Sequence, residues 1–556
     1  MVVGAGSGFF VGNDFASESA FEEYAKSVIG TTNAAGQTTT ALAYVDDTLT
    51  MTAGSNLIVD GAVTADNYED YFVAAEGDYT GDTNTVQVAS GGVLKLTNDA
   101  LYDEDGNQVY AVQFANGTAT VNNEGLIDLS DIDFTVGTAL KVFSANGDPD
   151  GVTVNDDGTV LAGNALYANA WDNGDLTLTY STTLADDALS KTDDSIADPI
   201  KEFAQTNGNK WSASSFVNKA LNLNGADEIG RSLNSAARIA VLGGATQNAQ
   251  LAHRAYTDAL EERNGFIAKT SSSIGQVQGT DVTVWITPLY VTQDSDGYDG
   301  GKSGDLGVDG KLWGVTLGVD GALDNGLTVG AAFHVGSGDS DSNGSGYAST
   351  DGDFDFWGLS LYGAYTYEGF KFLGDISYTS VDNDIDQKNA AGHLQADIDS
   401  KIWSIGLQGK YDFDVDGITI TPHLGIRYHK LDVDSYTVNF TGGDNFSGKS
   451  FDASYVTIPV GVGVSKDILT SGGWTVKPAA DFSIIPVAGD KDVTTKIVSN
   501  DITMAADSDI SDDVLFRLRL GVDAQYRNFG LGFGYGYLGG SDTKSHNLSA
   551  TLRYTF

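Results

Sequence analysis

From Thr280 to Phe556 the chain alternates apolar and polar residues, segment after segment. Trp313, Val315, Leu317 and Val319 interleave with Gly314, Thr316, Gly318 and Asp320. The last ten residues repeat the pattern, with Leu548, Ala550, Leu552, Tyr554 and Phe556 on one face. A period of two gives a strand one apolar and one polar side. Counted from Val282–Val291 to the C-terminus, twelve such segments follow one another.

The connections alternate short and long. Asp324–Gly326, Tyr367–Gly369, Asp414–Gly417, Ser471–Gly473 and Arg527–Asn528 are short. Gln293–Asp309, Gly338–Asp353, Asp382–Ser400, Asp432–Lys449 and Gly489–Asp513 are long and acidic, and read as loops. An even strand number with long loops on one rim is the layout of an up-and-down membrane barrel. Trp313, Trp357, Tyr365, Trp403, Tyr411, Trp474 and Tyr526 close the apolar runs, as interfacial girdles do. The opposite face carries Arg427, Lys477, Asp481, Arg517, Arg519, Asp523, Gln525 and Arg553, which suits a watery lumen. Gly530, Gly532, Gly534 and Gly536 share that inward face and leave room for a helix.

The occupant expected there lies just upstream. Ala245–Arg263 is slim, with Ala245, Ala249, Ala252, Ala255 and Ala259, and Gly243-Gly244 kinks or breaks it. Four regions result: 1–182, a β-solenoid; 183–231, a junction with short helices; 232–279, a linker helix through the pore; and 280–556, the barrel. In the first, Ser17–Ile29 reads as a helix. Short apolar-x-apolar strands such as Thr85-Val-Gln-Val and Gly92-Val-Leu-Lys-Leu recur between Gly, Asn and Asp turns. An irregular β-sandwich is the alternative, since no clean period emerges. The fold class is all-β: a 12-stranded antiparallel transmembrane barrel with a lumenal α-helix, preceded by a short parallel β-solenoid.

Bulk composition narrows the partners. Thirty Lys and Arg against 76 Asp and Glu give a net charge of -46, which disfavours nucleic acid. With no Cys, neither disulfides nor thiol chemistry arise. The N-terminus lacks the basic flank of a signal peptide, so an exported protein would have lost its leader.

A solenoid, a linker helix and twelve strands ending in Arg553-Tyr-Thr-Phe556 resemble the autotransporters (type V secretion) of Gram-negative bacteria. The resemblance implies an outer-membrane translocator that displays its own N-terminal passenger, adhesive or structural, at the cell surface. It implies outer-membrane lipid, the barrel assembly machinery and periplasmic chaperones as partners, with Leu552, Tyr554 and Phe556 as the assembly signal. A monomer with an unknown surface ligand is expected. Some relatives cut themselves at an Asn near the linker helix, so Asn224 and Asn234 are candidate cleavage points, although the double-Asn motif is missing. A channel or porin-like barrel with an accessory exterior domain is the alternative.

No enzyme is expected. All six His lie at or beyond His253, so residues 1–230 hold no His-based triad. The nearest match to a protease nucleophile motif, Gly338-Asp-Ser-Asp341, lacks the closing Gly. No cofactor is expected. Asp339, Asp341 and Asn343 match the first half of an EF-hand loop and are candidate calcium ligands, but position twelve is Thr350 rather than Glu.

Overall fold

A computed structural model describes residues 2–3, 8–11, 17–33, 36–45, 49–51, 56–59, 83–115, 117–206, 210–264, 272–276, 282–323, 326–344, 346–527 and 529–554. The chain divides into two compact units, one of residues 1–191 and 197–229, the other of 192–196 and 230–556.

The first unit is built on three parallel sheets. Val2–Val3, Asn56–Val59, Thr83–Val88, Thr118–Asn123 and Val152–Asp156 form one, each strand parallel to the next. Gly8–Val11, Ala41–Val45, Gly92–Leu96, Leu126–Leu129 and Thr159–Ala162 form the second. Leu49–Met51, Val112–Phe114 and Phe143–Ala145 form the third. Side chains 33 residues apart stack between neighbouring strands: Asn155 donates to Asn122 (2.9 Å) and Asn123 to Asp156 (2.8 Å). Val86, Val88, Leu94, Leu96, Val121, Ile127 and Leu129 are fully buried. Helix Glu18–Val28, capped by Ser17, lays Phe21 and Ala25 on Leu42, Tyr44 and Val93. One buried charge is held by its surroundings: Lys95 lies 2.5 Å from Asp131 and 3.3 Å from Asp128, and Lys219 also pairs with Asp131. Burial pushes the Asp131 carboxyl up, but Lys95 and Lys219 outweigh it and hold it down at about 2.

The second unit is a closed barrel of twelve antiparallel strands. They are β1 (Val282–Ser295), β2 (Val308–Ala322), β3 (Leu327–Ser342), β4 (Thr350–Tyr367), β5 (Phe370–Asn389) and β6 (Gly392–Tyr411). Then come β7 (Ile418–Val433), β8 (Phe451–Thr457 with Val460–Ser465), β9 (Thr475–Gly489), β10 (Val514–Tyr526), β11 (Phe529–Gly539) and β12 (Thr543–Tyr554). Closure comes from β1 pairing with β12, Val291 opposite Asn547 and Ser295 opposite Thr543. A short strand, Ser272–Gln276, pairs with Thr283–Ile286 of β1.

The long connections are not the loops that their acidity suggests. β5 and β6 are each 20 residues long and only two residues separate them, so Asp382–Ser400 is almost all strand. The connection after β7 folds into further strands at Tyr436–Phe440 and Phe446–Gly448, and the one after β9 into Asp492–Ser499 and Ile502–Asp509. At ~3.4 Å per residue β5 spans roughly 65 Å, far more than the ~25 Å apolar band of a membrane barrel. The two lengths correspond to two stretches of opposite polarity. In the lower stretch Trp357, Leu359, Leu361, Phe372, Ile376, Ile405, Leu407, Leu424 and Ile426 all face outward and uncovered. So continuous an apolar exterior marks a lipid-facing surface. In the upper stretch the apolar residues turn inward, with Phe354, Phe356, Val381, Ile385, Leu394 and Ile398 buried. The outward positions there become a lattice of aspartates: Asp339, Asp353, Asp384 and Asp397 lie directly opposite one another across four strands. No helix among the described residues is long and apolar enough to cross a membrane, so strands do the crossing.

Candidate functional site in the barrel lumen

Three helical pieces lead into the barrel: α1 (Ala226–Ala237), α2 (Ile239–Leu242) and α3 (Ala245–Arg263). Helix therefore ends at Arg263, and Ser272–Gln276 is strand, where the sequence suggested one helix through 279. The bend between α2 and α3 is set by glycine. Gly244 has φ of 82°, the left-handed region, and a Cβ on Gly243 would fall 2.5 Å from the Ile385 side chain. Ser340 donates to the Gly243 carbonyl (3.1 Å), and Ser400 to that of Ala245 (2.7 Å). Asn248 donates to Ser340 and Asn383, both at 3.1 Å.

The upper lumen is apolar and the lower lumen ionic. Val241, Leu242 and Leu251 pack with Phe354, Phe356, Val381, Ile402 and Leu431. Below them α3 rests chiefly on β1, β2, β5, β6 and β7. Ala249, Ala252 and Ala259 are buried, and their small side chains let the helix lie close to this wall. The glycine face of β11 is thus not its main seat; it reaches across to β10 through charge. Asp258 pairs with Arg517 (3.4 Å) and with Arg519, and Glu261 pairs with both at 3.4 and 3.1 Å. At its foot Arg263 makes a two-pronged contact with Asp320, both bonds 2.7 Å, and Asp320 also accepts from Tyr362 (2.8 Å). Such forked guanidinium–carboxylate pairs fix orientation as well as charge. Arg427 holds Asp375 in the same way, at 2.7 and 2.8 Å.

The upper end is tied to the long-connection rim. Arg238, 2% exposed, pairs with Asp193 (2.7 Å) and stacks over Tyr347. Asn389 donates to the Ser232 carbonyl (3.0 Å) and Gln387 to that of Ser235 (3.2 Å). Thr495 donates to the carbonyl of Ala237 (2.7 Å).

The residues singled out from sequence fall in different places. Arg427, Arg517 and Arg519 stand in the ionic layer. Gly532 and Gly534 flank Phe533, which is 60% exposed on the outer side. Leu552 and Tyr554 lie on β12, and Phe556 lies outside the described residues. Asn234 is buried inside α1 with its amide engaged: the oxygen accepts from the Asp193 N–H (3.1 Å) and the nitrogen donates to Ser303 (2.7 Å). An amide held at both ends is not free to attack a neighbouring carbonyl. Asn224 lies in the turn ahead of α1, outside any helix. Asp339 and Asp341 are on strand β3, so a twelve-residue loop cannot wrap a calcium ion there. Asp339 instead pairs with Lys311 (2.8 Å), and the Asn343 nitrogen is spent on Ser295 and Asp309. Among the described residues no group of three or more His, Asp or Glu is arranged to hold a metal. Sequence reading missed Asp258, Glu261, Arg263, Asp320 and Asp375. Asp258 and Glu261, three apart on an alanine-rich helix, were the available signal.

A lipid-facing belt, a closed twelve-stranded wall and a helix ion-paired inside it define a membrane β-barrel with an occupied lumen. Residues 284–536 match the family model of the autotransporter beta-domain. The C-terminal part of this chain is an autotransporter translocator barrel, of the kind that resides in the outer membrane of Gram-negative bacteria. Solved structures similar to the chain include the translocator domain of autotransporter NalP from Neisseria meningitidis, 15% identical, covering 58% of this chain and 100% of that one, with a TM-score of 0.42. The transport unit of autotransporter AIDA-I from Escherichia coli is 12% identical, with 55% and 98% covered and a TM-score of 0.36. The beta domain of the Bordetella autotransporter BrkA is 16% identical, with 49% and 99% covered and a TM-score of 0.35. Comparison with curated proteins gives no match.

Proposed function

We propose that the barrel carries its own N-terminal region across the outer membrane and displays it at the cell surface, and that this region is adhesive or structural rather than catalytic. The carrying observation is the direction of the lumenal chain. Residues 192–196 and α1 are tied to the long-connection rim, through Lys302–Asp194 (2.7 Å), Arg238–Asp193 and Ser195 to the Ala505 carbonyl (2.8 Å). Arg263 is tied to Asp320 in β2, two residues before that strand ends. The chain thus runs inward from the long-connection side before starting β1, the direction expected of a segment that follows a displayed region. In intact cells, added protease should remove residues 1–200 and spare the barrel; protection of that region would overturn the reading.

Assembly machinery and periplasmic chaperones enter this reading as partners of a monomeric barrel, with Leu552, Tyr554 and Phe556 as the recognised end. Phe556→Ser should lower the outer-membrane yield severalfold at unchanged synthesis, measured by membrane fractionation. Equal yields would remove the assembly-signal role.

A channel with an exterior domain is the second reading. A polar cavity of about 650 Å³ below α3, lined in part by Lys371, Lys410, Lys477, Asp412 and Asp523, favours it. Deleting residues 232–263 separates the two readings. A large rise in single-channel conductance supports a plugged translocator; an unchanged, wide conductance supports a channel.

A further inference from the structure

Three imidazoles meet where α3 touches the wall. His253 projects from the helix between Thr379 of β5 (Nδ1 to Oγ1, 2.9 Å) and Ser404 of β6 (Nε2 to Oγ, 2.8 Å). His334 of β3 reaches the same Thr379 hydroxyl through Nε2 (3.1 Å). The ring of His429, on β7, lies 6.0 Å from that of His253. Exposures are 1% for His253, 0% for His334 and 9% for His429.

The hydrogen bonds are best satisfied by a neutral His253. Arg427 donates to Ser404 (2.9 Å), so the Ser404 proton is free to go to His253 Nε2. The Nδ1–H then donates to Thr379, and the Thr379 proton goes to His334 Nε2. Each hydroxyl gives one bond and takes one. A proton added at His253 Nε2 turns that acceptor into a second donor, so the Ser404 hydroxyl has to accept twice and its own proton loses its acceptor. It also sets a new cation beside a guanidinium. The carboxylate within the group, Asp375, is already gripped by Arg427 at two points. With Nε2 accepting from Thr379, neutral His334 already carries its proton on Nδ1, buried without a hydrogen-bond partner. A second proton therefore goes to Nε2 and displaces the Thr379 bond. His429 Nδ1 is likewise buried without a partner.

Other charges face the cluster as well. Tyr455 of β8 stacks on His429 at 4.6 Å, and the ring of Tyr256 of α3 lies 3.8 Å from that of His334. Arg517 of β10 and Glu261 of α3 border the same cavity, Glu261 paired with Arg517 and Arg519. On the helix itself Arg254 and Asp258 adjoin, the first bonded to Gln293 and Ser545 and the second to Arg517 and Arg519. Every carboxylate in reach therefore already serves an arginine, and the surroundings reject a further positive charge.

We propose that His253, with His334 and His429, is an acid-sensitive latch that seats the lumenal helix when neutral and releases it when protonated. Withdrawing α3 frees all three rings to water, where imidazole takes a proton at a pKa of about 6.5. Proton uptake then drives release, about tenfold per pH unit for each proton bound, so three rings give a steep response below that pH. The latch acts on the seated helix and stands whether the barrel displays a passenger or conducts.

The full chain in detergent micelles or a planar bilayer tests this. Hydrogen exchange of peptides from 245–263, corrected for the intrinsic pH dependence of exchange, and channel conductance are both followed from pH 7.5 to 5. Opening should rise by more than tenfold per unit below about pH 6.5. His253→Gln, which keeps one donor and one acceptor, should lower that slope by about one proton, and the triple Gln variant should flatten it. A flat wild-type response overturns the proposal without recourse to any variant. An unaltered slope in the triple variant also overturns it, because the carboxylates would then be the sensors.

Discussion

Arg517 and Arg519 are two positions apart on β10, and both reach back to Asp258 and Glu261 of the helix. Removing one arginine leaves two buried carboxylates sharing the other. Breaking a buried ion network in this way costs about 3–5 kcal/mol. Arg519→Gln should therefore loosen α3, seen as faster exchange of 245–263 and more frequent open-channel events; parity with wild type would mean that the helix's other ties, Arg263–Asp320 and the apolar upper lumen among them, hold it without this network. In the other unit Asp131 makes a pH prediction. Its folded pKa of about 2 lies below the ordinary 3.8, so its stabilising share is complete above about pH 4 and is lost as pH falls toward 2. Allowing for its partial exposure, that share is about 1–2 kcal/mol. Peptides from 83–162 should exchange faster across that window, and Asp131→Asn should exchange fast at every pH. Alternation alone placed Arg427, Arg517 and Arg519 on the polar side of their strands. Their partners were not legible, because which carboxylate meets which arginine depends on the rotation and height of a helix inside a cylinder, and no local period encodes either.

At the scale of the strand, one physical fact explains what the sequence hid. Along β5 the outward positions run Phe372, Ile376, Tyr378 and then Asp382, Asp384, Asp386, while the inward ones run Asp375, Ser377, Thr379 and then Val381, Asn383, Ile385. The strand never breaks; only the phase of its apolar residues shifts by one. A reader following one apolar face sees the pattern stop at Tyr378 and infers a loop, although both environments are strand environments. β4 does the same, from Leu359 and Trp357 to Asp355, Asp353 and Asp351. The aspartate lattice this creates works against the sheet, since like charges directly opposite repel. Asp384 faces Asp353 on one side and Asp397 on the other. Asp384→Asn should stabilise the barrel by about 0.5–1 kcal/mol, read from the urea midpoint, and salt should shrink that gain. A loss of stability would show that the carboxylate has a partner the lattice does not supply.

For the whole molecule, the twelve strands and the helix ahead of them could be read from spacing because a membrane barrel repeats one rule along its length. The first unit repeats less regularly. Its later strands stack at 33 residues, while Ala41 pairs with Gly92 and Leu49 with Val112, so insertions between turns erase any single period. The two units also differ in what holds them: Val, Leu and Ile packed between short parallel strands in one, and a closed hydrogen-bonded wall in the other. Urea should therefore unfold them in two steps, with exchange protection lost first in peptides from 83–162 and later in those from β4 to β6. One concerted step would mean that the units fold as one.

The change of phase along β2 to β7 acts as a waterline. Trp313, Trp357, Tyr378, Trp403 and Tyr428 sit just below it, and the aspartates begin within a few residues above. Sinking the cylinder by one rung would drag a ring of carboxylates toward hydrocarbon, at up to ~1 kcal/mol apiece near the interface and more with depth. Raising it would strand the oily girdle in water. The protein thus carries its own draught mark, and any neighbour in the bilayer meets it at one fixed height.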